Sequence, residues 1–240
     1  MTPGTITQSQ RTAAKVAGWS FIFTMVIVVF ANYGLLNPLV VRGDAGATAR
    51  NILAHETQFR VAVIGFLAYS TGVFVLLTAL YFILKPVNAG LALAGAIFRF
   101  VFALLWLLTT LNLLSSLRLL GTASYLQAFE PERLQALSRL YLSANFDDYY
   151  VGLPFFSLAA TVCSYLFLKS NYVPKSLAVF GIISSAWCVL CAFIYLIFPD
   201  FAKPVDPYWF DSPMALFELA LGLWLLFKGV RSAKSGEQTI

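Results

Sequence analysis

Apolar residues run along this chain in long unbroken stretches, without the strict alternation of a half-buried strand or the one-sided stripe of a soluble helix. Val16–Leu36, Val61–Leu84, Leu91–Leu114, Tyr149–Leu168, Leu177–Phe198 and Tyr208–Phe227 each reach about the 20 residues that a helix needs to cross a bilayer. The pattern predicts an all-α polytopic membrane protein, a bundle of six transmembrane helices. Pro154 and Pro213 fall near the starts of the fourth and sixth stretches, where proline is tolerated. Two connections are short, Lys85-Pro86 and Ser170–Pro174, and three are longer. In the first long one, Asp44 is placed to cap a helix that runs into the second stretch with Ile52, Leu53 and Phe59 roughly on one side, and with Glu56 and Arg60 paired at i, i+4. In the second, Leu134, Leu137 and Tyr141 recur at helical spacing with Arg133 and Arg139 between them. That segment reads either as a helix lying in the membrane interface or as an ordinary helical loop. The third ends in Tyr208-Trp209-Phe210, an aromatic anchor for the headgroup level. No polar segment is long enough to fold alone, so residues 1–240 form one domain with tails at 1–15 and 231–240.

Composition supports the class: 60% of residues are hydrophobic and 11% charged, against about 45–50% and about 25% in soluble proteins. The first stretch exceeds the about 7–15 residues of a signal-peptide core and no small-residue cleavage site follows, so it is expected to stay as a helix. The net charge of +5 is not a nucleic-acid footprint, because the basic residues flank the helices. Lys85, Lys169, Lys175, Lys228 and the basic residues of both tails border short connections almost free of acid. The opposite segments carry Arg42, Arg50, Arg60, Arg118, Arg133, Arg139 and Lys203 amid most of the acids. This places both termini in the cytoplasm, with Lys85, Lys169 and Lys234 inside and His55, Glu132 and Asp206 outside. Cys188 and Cys191 have the C-x-x-C spacing of a redox pair, but they and Cys163 lie in apolar stretches with no basic neighbour in sequence, where cysteine is a small hydrophobe.

Four blocks, GDAGATARNI, LKPVNAGLALAGAIFR, FFSLAATVCSYLFLKSNYVPKSLAVFGII and FELALGLWLLFKGV, resemble in order those of the bacterial domain-of-unknown-function 4386 family. The resemblance runs from about Val16 to Val230. It implies a six-helix integral protein of the bacterial inner membrane and carries over no activity, substrate or catalytic residue. Ser157 and Ser164 stand where the resemblance would put glycine, which bears on how tightly the fourth helix packs.

Two ionisable side chains remain at membrane depth, Arg99 and Glu218. Counting from the cytoplasmic side, Arg99 lies about 18 Å in; counting from the outside, Glu218 lies about 8 Å deep, so the two meet at similar depth in the outer half. Gly95, Arg99 and Ala103 form one small-residue stripe, and Ala215, Glu218 and Gly222 form another, which favours close approach. The pair reads as a structural clamp or as the wall of an outward-facing pocket. In the second reading Arg99 and Arg60 anchor a small anionic molecule or lipid, Glu218 is the counter-charge, and Asn51, His55, Asp147 and Asp148 share the pocket. That binding or transport role is the first functional expectation. A structural or interaction subunit is the alternative, and a membrane-embedded enzyme with Glu218 as acid/base is the third. One histidine excludes a bis-histidine haem and multi-imidazole metal sites, and the hydrolase and phosphate-loop motifs are missing. No cofactor or metal is expected, and membrane lipids are the expected partners.

Overall fold

In a bilayer every backbone amide must find its partner within the chain, and a helix achieves this locally. A computed structural model of the protein describes residues 6–205, 207–210 and 212–231, without the side chains of Pro199, Ala202, Pro207 and Tyr208. Asp206 and Lys234, to which the sequence assigned sides of the membrane, lie outside the described residues. The helices are α1 (Gln8–Val29), α2 (Ala45–Ala54), α3 (Glu56–Leu84), α4 (Ala89–Leu119), α5 (Pro131–Ser170), α6 (Lys175–Ile197), α7 (Pro207–Phe210) and α8 (Ser212–Phe227). Among the described residues there is no strand. Five segments are long and apolar enough to cross a membrane: Gln8–Leu39, α3, α4, α5 and α6. α8 is apolar throughout but has 16 residues, about 24 Å of helix against a hydrocarbon core of about 30 Å. The protein is an all-α polytopic membrane protein.

Several element boundaries differ from the sequence expectation, α3 starting at Glu56, α4 ending at Leu119 and α8 starting at Ser212; those of α1 and α5 have local reasons. α1 starts at Gln8, well before Val16, because Thr7 and Gln10 cap it reciprocally: the Gln10 N–H donates to Thr7 Oγ1 at 3.2 Å and the Thr7 N–H to Gln10 Oε1 at 3.1 Å. At its other end the chain loosens into a π-helix over Phe30–Leu36 and a 3₁₀ turn over Asn37–Leu39. The carbonyls freed there are taken by side chains: Gln58 donates to Leu35 O at 2.9 Å and Asn51 to Leu39 O at 3.4 Å. α5 begins at Pro131, not near Tyr149, and runs 40 residues. The Leu134–Tyr141 segment is thus the first part of a spanning helix rather than a separate interfacial one. Pro154 lies inside α5 instead of near its start, where its ring forfeits one i→i−4 bond without ending the helix.

The chain divides into two compact units, and α1, α3, α4 and α5 each contribute a segment to both. The first comprises the described residues of Met1–Phe23, Gly72–Phe102 and Gly152–Ile240. Here α6 packs on α8. Bare glycines set the closest approaches. A Cβ at Gly18 would lie 2.7 Å from the Leu226 backbone nitrogen, and one at Gly222 would lie 2.7 Å from Phe21 Cβ, which brings α1 against α8. A Cβ at Gly181 of α6 would collide with Ser164 Oγ of α5 and with the Phe217 ring of α8. Ser157 and Ser164 are completely buried, so serine at these positions does not loosen α5; Gly181 makes room for the second. Trp209 stands 79% exposed. Phe210 instead turns among Trp187, Tyr195 and Phe201, and its carbonyl accepts from Trp187 Nε1 at 2.7 Å.

The second unit comprises Thr24–Thr71 and Ala103–Val151. Asp44 caps α2 as its position predicted, its Oδ1 accepting from the Ala47 N–H at 2.7 Å. Gly65 lets α3 close on Ala31 of the π-helix. Trp106 packs against Phe66 and Tyr69 of α3 and Tyr149 of α5.

Gly18→Ala and Gly181→Ala are each expected to destabilise the protein by about 1–3 kcal/mol through overpacking, seen as a lower midpoint of thermal unfolding. Gly90→Ala, where the added Cβ meets only Asn88 Oδ1 at 3.6 Å, serves as the tolerated control, expected within about 0.5 kcal/mol of wild type.

Candidate functional site

A guanidinium inside an apolar bundle needs its charge and its N–H donors satisfied by protein, since little water is there to do it. In the first unit Arg99 of α4 is 3% exposed and donates from Nη2 to Glu218 Oε1 of α8 at 2.9 Å; Glu218 is 16% exposed. The Arg99 guanidinium also lies 5.7 Å from the ring centroid of Phe21 of α1 and 5.1 Å from that of Phe156 of α5. Both are within the range in which the negative face of an aromatic ring attracts a cation. One charged group therefore ties together four helices, α1, α4, α5 and α8. Its Nε makes no hydrogen bond to the described residues. Arg99 and Cys163 help line a void of about 10 Å³, close to the smallest space that holds one water.

The small-residue stripes serve contacts other than the one expected. A Cβ at Gly95 would meet Val162 and Cys163 of α5, at 3.3 and 3.6 Å, and Gly222 faces Phe21 of α1. Ala215 is exposed. The backbones that come close here are α4 with α5 and α8 with α1, while the long side chains of Arg99 and Glu218 bridge α4 and α8.

The remaining candidate residues belong to the second unit, and their partners are local. Arg60 is paired with Glu56 at 2.7 Å, both well exposed; such a surface pair contributes little, typically about 0.3–0.5 kcal/mol on a helix. His55 Nδ1–H donates to the Asn51 carbonyl at 3.1 Å at the end of α2, and Asn51 Nδ2 donates to Leu39 O. Asp147 is exposed. Asp148 turns inward and accepts from Thr109 Oγ1 at 3.1 Å and Asn112 Nδ2 at 2.9 Å. The structure thus brings Arg99 and Glu218 together and gives Arg60, His55, Asn51 and Asp148 each a partner of its own. Sequence reasoning missed Phe21, Phe156, Thr109 and Asn112. The last two carried a usable signal, polar residues three apart in an apolar helix. The two phenylalanines, among 22 in the chain, carried none.

Cys163, Cys188 and Cys191 are free thiols and buried. The Cys191 thiol donates to the Phe210 carbonyl at 3.5 Å, the kind of weak contact a packed structural cysteine makes.

The family model described as Domain of unknown function (DUF4386) matches residues 16–229. No curated protein and no solved structure matches the chain.

Replacing Cys188 and Cys191 together by alanine is expected to leave gel mobility unchanged with and without reductant. A reduction-dependent shift in the wild type that vanishes in the double variant would show that the pair forms a disulfide.

Proposed function

Starting from the chain's membership of the DUF4386 family, we propose that the protein is a non-catalytic multi-pass component of the bacterial inner membrane whose Arg99–Glu218 pair is an assembly clamp. The observation that carries this reading is the nearly complete burial of Arg99 against Glu218 and two aromatic rings. In the rival reading Arg99 anchors a small anionic molecule or lipid with Glu218 as counter-charge. That role needs an opening at the guanidinium, where Glu218, Phe21 and Phe156 already crowd. An enzyme would need a carboxyl free to exchange a proton with substrate, whereas Glu218 accepts the Arg99 hydrogen bond. In the orientation we propose, both termini are cytoplasmic, supported by Lys85, Lys169, Lys175, Lys228 and Arg231 at the short connections and termini.

A double-mutant cycle tests the clamp. Arg99→Ala and Glu218→Ala should each cost about 3–5 kcal/mol, because each strands a buried charge. The double variant should lose clearly less than the sum, with a coupling of about 0.5–3 kcal/mol. Arg99→Lys should not restore full stability, since lysine lacks the flat face that stacks on Phe21 and Phe156. Simple additivity would defeat the clamp; stabilisation of wild type, but not of Arg99→Lys, by inorganic phosphate would favour the anion anchor.

For orientation, single cysteines placed at His55 and Glu132 should react with an impermeant maleimide added outside intact cells, and cysteines at Lys85 and Lys169 should not. Labelling at position 85 reverses the assignment.

A further inference from the structure

The second unit holds a hollow of about 400 Å³ where α2, the end of α4 and the start of α5 come together. That volume sits in the range of small-molecule sites, about 300–1,000 Å³. Leu53, Leu119, Leu126, Phe129 and Leu134 give it apolar walls, while Arg50, Gln135, Gln127 and Thr122 supply polar groups. Its large apolar side chains, of which Leu53 and Phe129 stand exposed, offer water few hydrogen-bond partners on that side of the hollow.

The polar edge is arranged around a glycine. A Cβ built on Gly46 would lie 3.2 Å from Gln135 Oε1 and 3.4 Å from Arg50 Nη1. The heads of one residue from α2 and one from α5 thus converge over a position that has no side chain of its own. Gln135 can turn its amide to present N–H groups, and Arg50 offers a planar fork of donors. Arg50 makes no ion pair among the described residues. Glu130 pairs with Arg133 at 2.9 Å; Asp44, which keeps its charge while its Oδ1 caps the Ala47 N–H, is not among the residues that line the hollow. The surroundings match the edge of a bilayer: Tyr125, Leu137, Leu140 and Tyr141 are exposed apolar or amphipathic side chains near the hollow in sequence.

We propose that this hollow binds a single-chain anionic amphiphile drawn from the surrounding membrane, a fatty acid or a lysophospholipid. Its chain lies against Leu53, Leu119, Leu126, Phe129 and Leu134, and its carboxylate or phosphate takes hydrogen bonds from Arg50 and Gln135 on the hollow's side of those heads. The volume admits one chain. The site is independent of the Arg99–Glu218 pair, so either proposal can fail without the other.

The test uses the full-length protein in a neutral detergent and counts bound lipid by native mass spectrometry. Wild type should retain one equivalent of palmitoyl lysophosphatidylglycerol, and lysophosphatidylcholine of the same chain about tenfold less well, since the choline head replaces net negative charge with none. Arg50→Gln should abolish that preference while leaving thermal stability unchanged, as Arg50 is exposed. Gly46→Leu, which fills the space between the heads, should reduce retention of both lipids and decides the matter if the first variant folds poorly. Equal retention of the two lipids by wild type would overturn the proposal, as would an undiminished preference in Arg50→Gln. Full displacement of the lipid by an equal concentration of inorganic phosphate would identify a free-anion site instead and likewise overturn it.

Discussion

The pairing of Arg99 with Glu218 is the constraint to which the helices of the first unit answer. A lone arginine at the centre of a spanning helix costs about 2.5–3.5 kcal/mol on insertion scales, and more where side chains are packed too tightly for water to follow. Glu218 meets that charge at 2.9 Å, and Phe21 and Phe156 offer their faces to the rest of the guanidinium. Because the partners come from α8, α1 and α5, the charge selects one relative placement of those helices around α4. Apolar packing alone would tolerate several, since lipid tails solvate a leucine about as well as a neighbouring helix does. The polar group therefore favours one arrangement of these helices over others, whatever its net contribution to stability.

Glycine makes the placement possible. Long polar side chains bridge α4 and α8, while Gly18, Gly95, Gly181 and Gly222 let the flanking backbones close. Several hydroxyls of the spans follow the rule for an apolar medium of finding the nearest backbone acceptor. Thr71, Thr78, Thr110, Ser184 and Ser185 each donate to the carbonyl four residues earlier. The π-helical stretch Phe30–Leu36 would expose carbonyls, and Gln58 from α3 covers one of them. The same physics thus accounts for the ion pair, the back-bonded hydroxyls and the capped irregular turn.

Much of this was legible in the sequence. Apolar length gave the fold class, Asp44 gave the cap of α2, and Glu56 and Arg60 gave their own pair. Helix rise alone put Arg99 and Glu218 at matching depth, and they touch. What escaped was the identity of neighbours. The stripes around Arg99 and Glu218 were read as facing each other, but Gly95 serves α5 and Gly222 serves α1. A helix that is apolar on every side carries no mark of which face meets which partner. The start of α5 was misplaced for a related reason: Pro131–Asp148 is polar enough to look like a loop, yet no residue in it stops a helix before the apolar run begins. Pro154 was read as a start signal although a proline inside a long, well-packed helix removes only one bond. The hollow beside Arg50 was invisible because its walls come from two stretches far apart in sequence, 49–53 and 119–135.

Cys163 gives the most direct measure of the central claim, that Arg99 and Glu218 hold each other in a packed site closed to water. Its thiol is buried and borders the same small void as Arg99. In a Cys188→Ala, Cys191→Ala background, a charged methanethiosulfonate reagent should leave Cys163 unmodified for as long as the protein stays folded, and should modify it once Arg99→Ala removes the guanidinium. Rapid modification of Cys163 with Arg99 in place would mean that water reaches the pair, and would contradict the account.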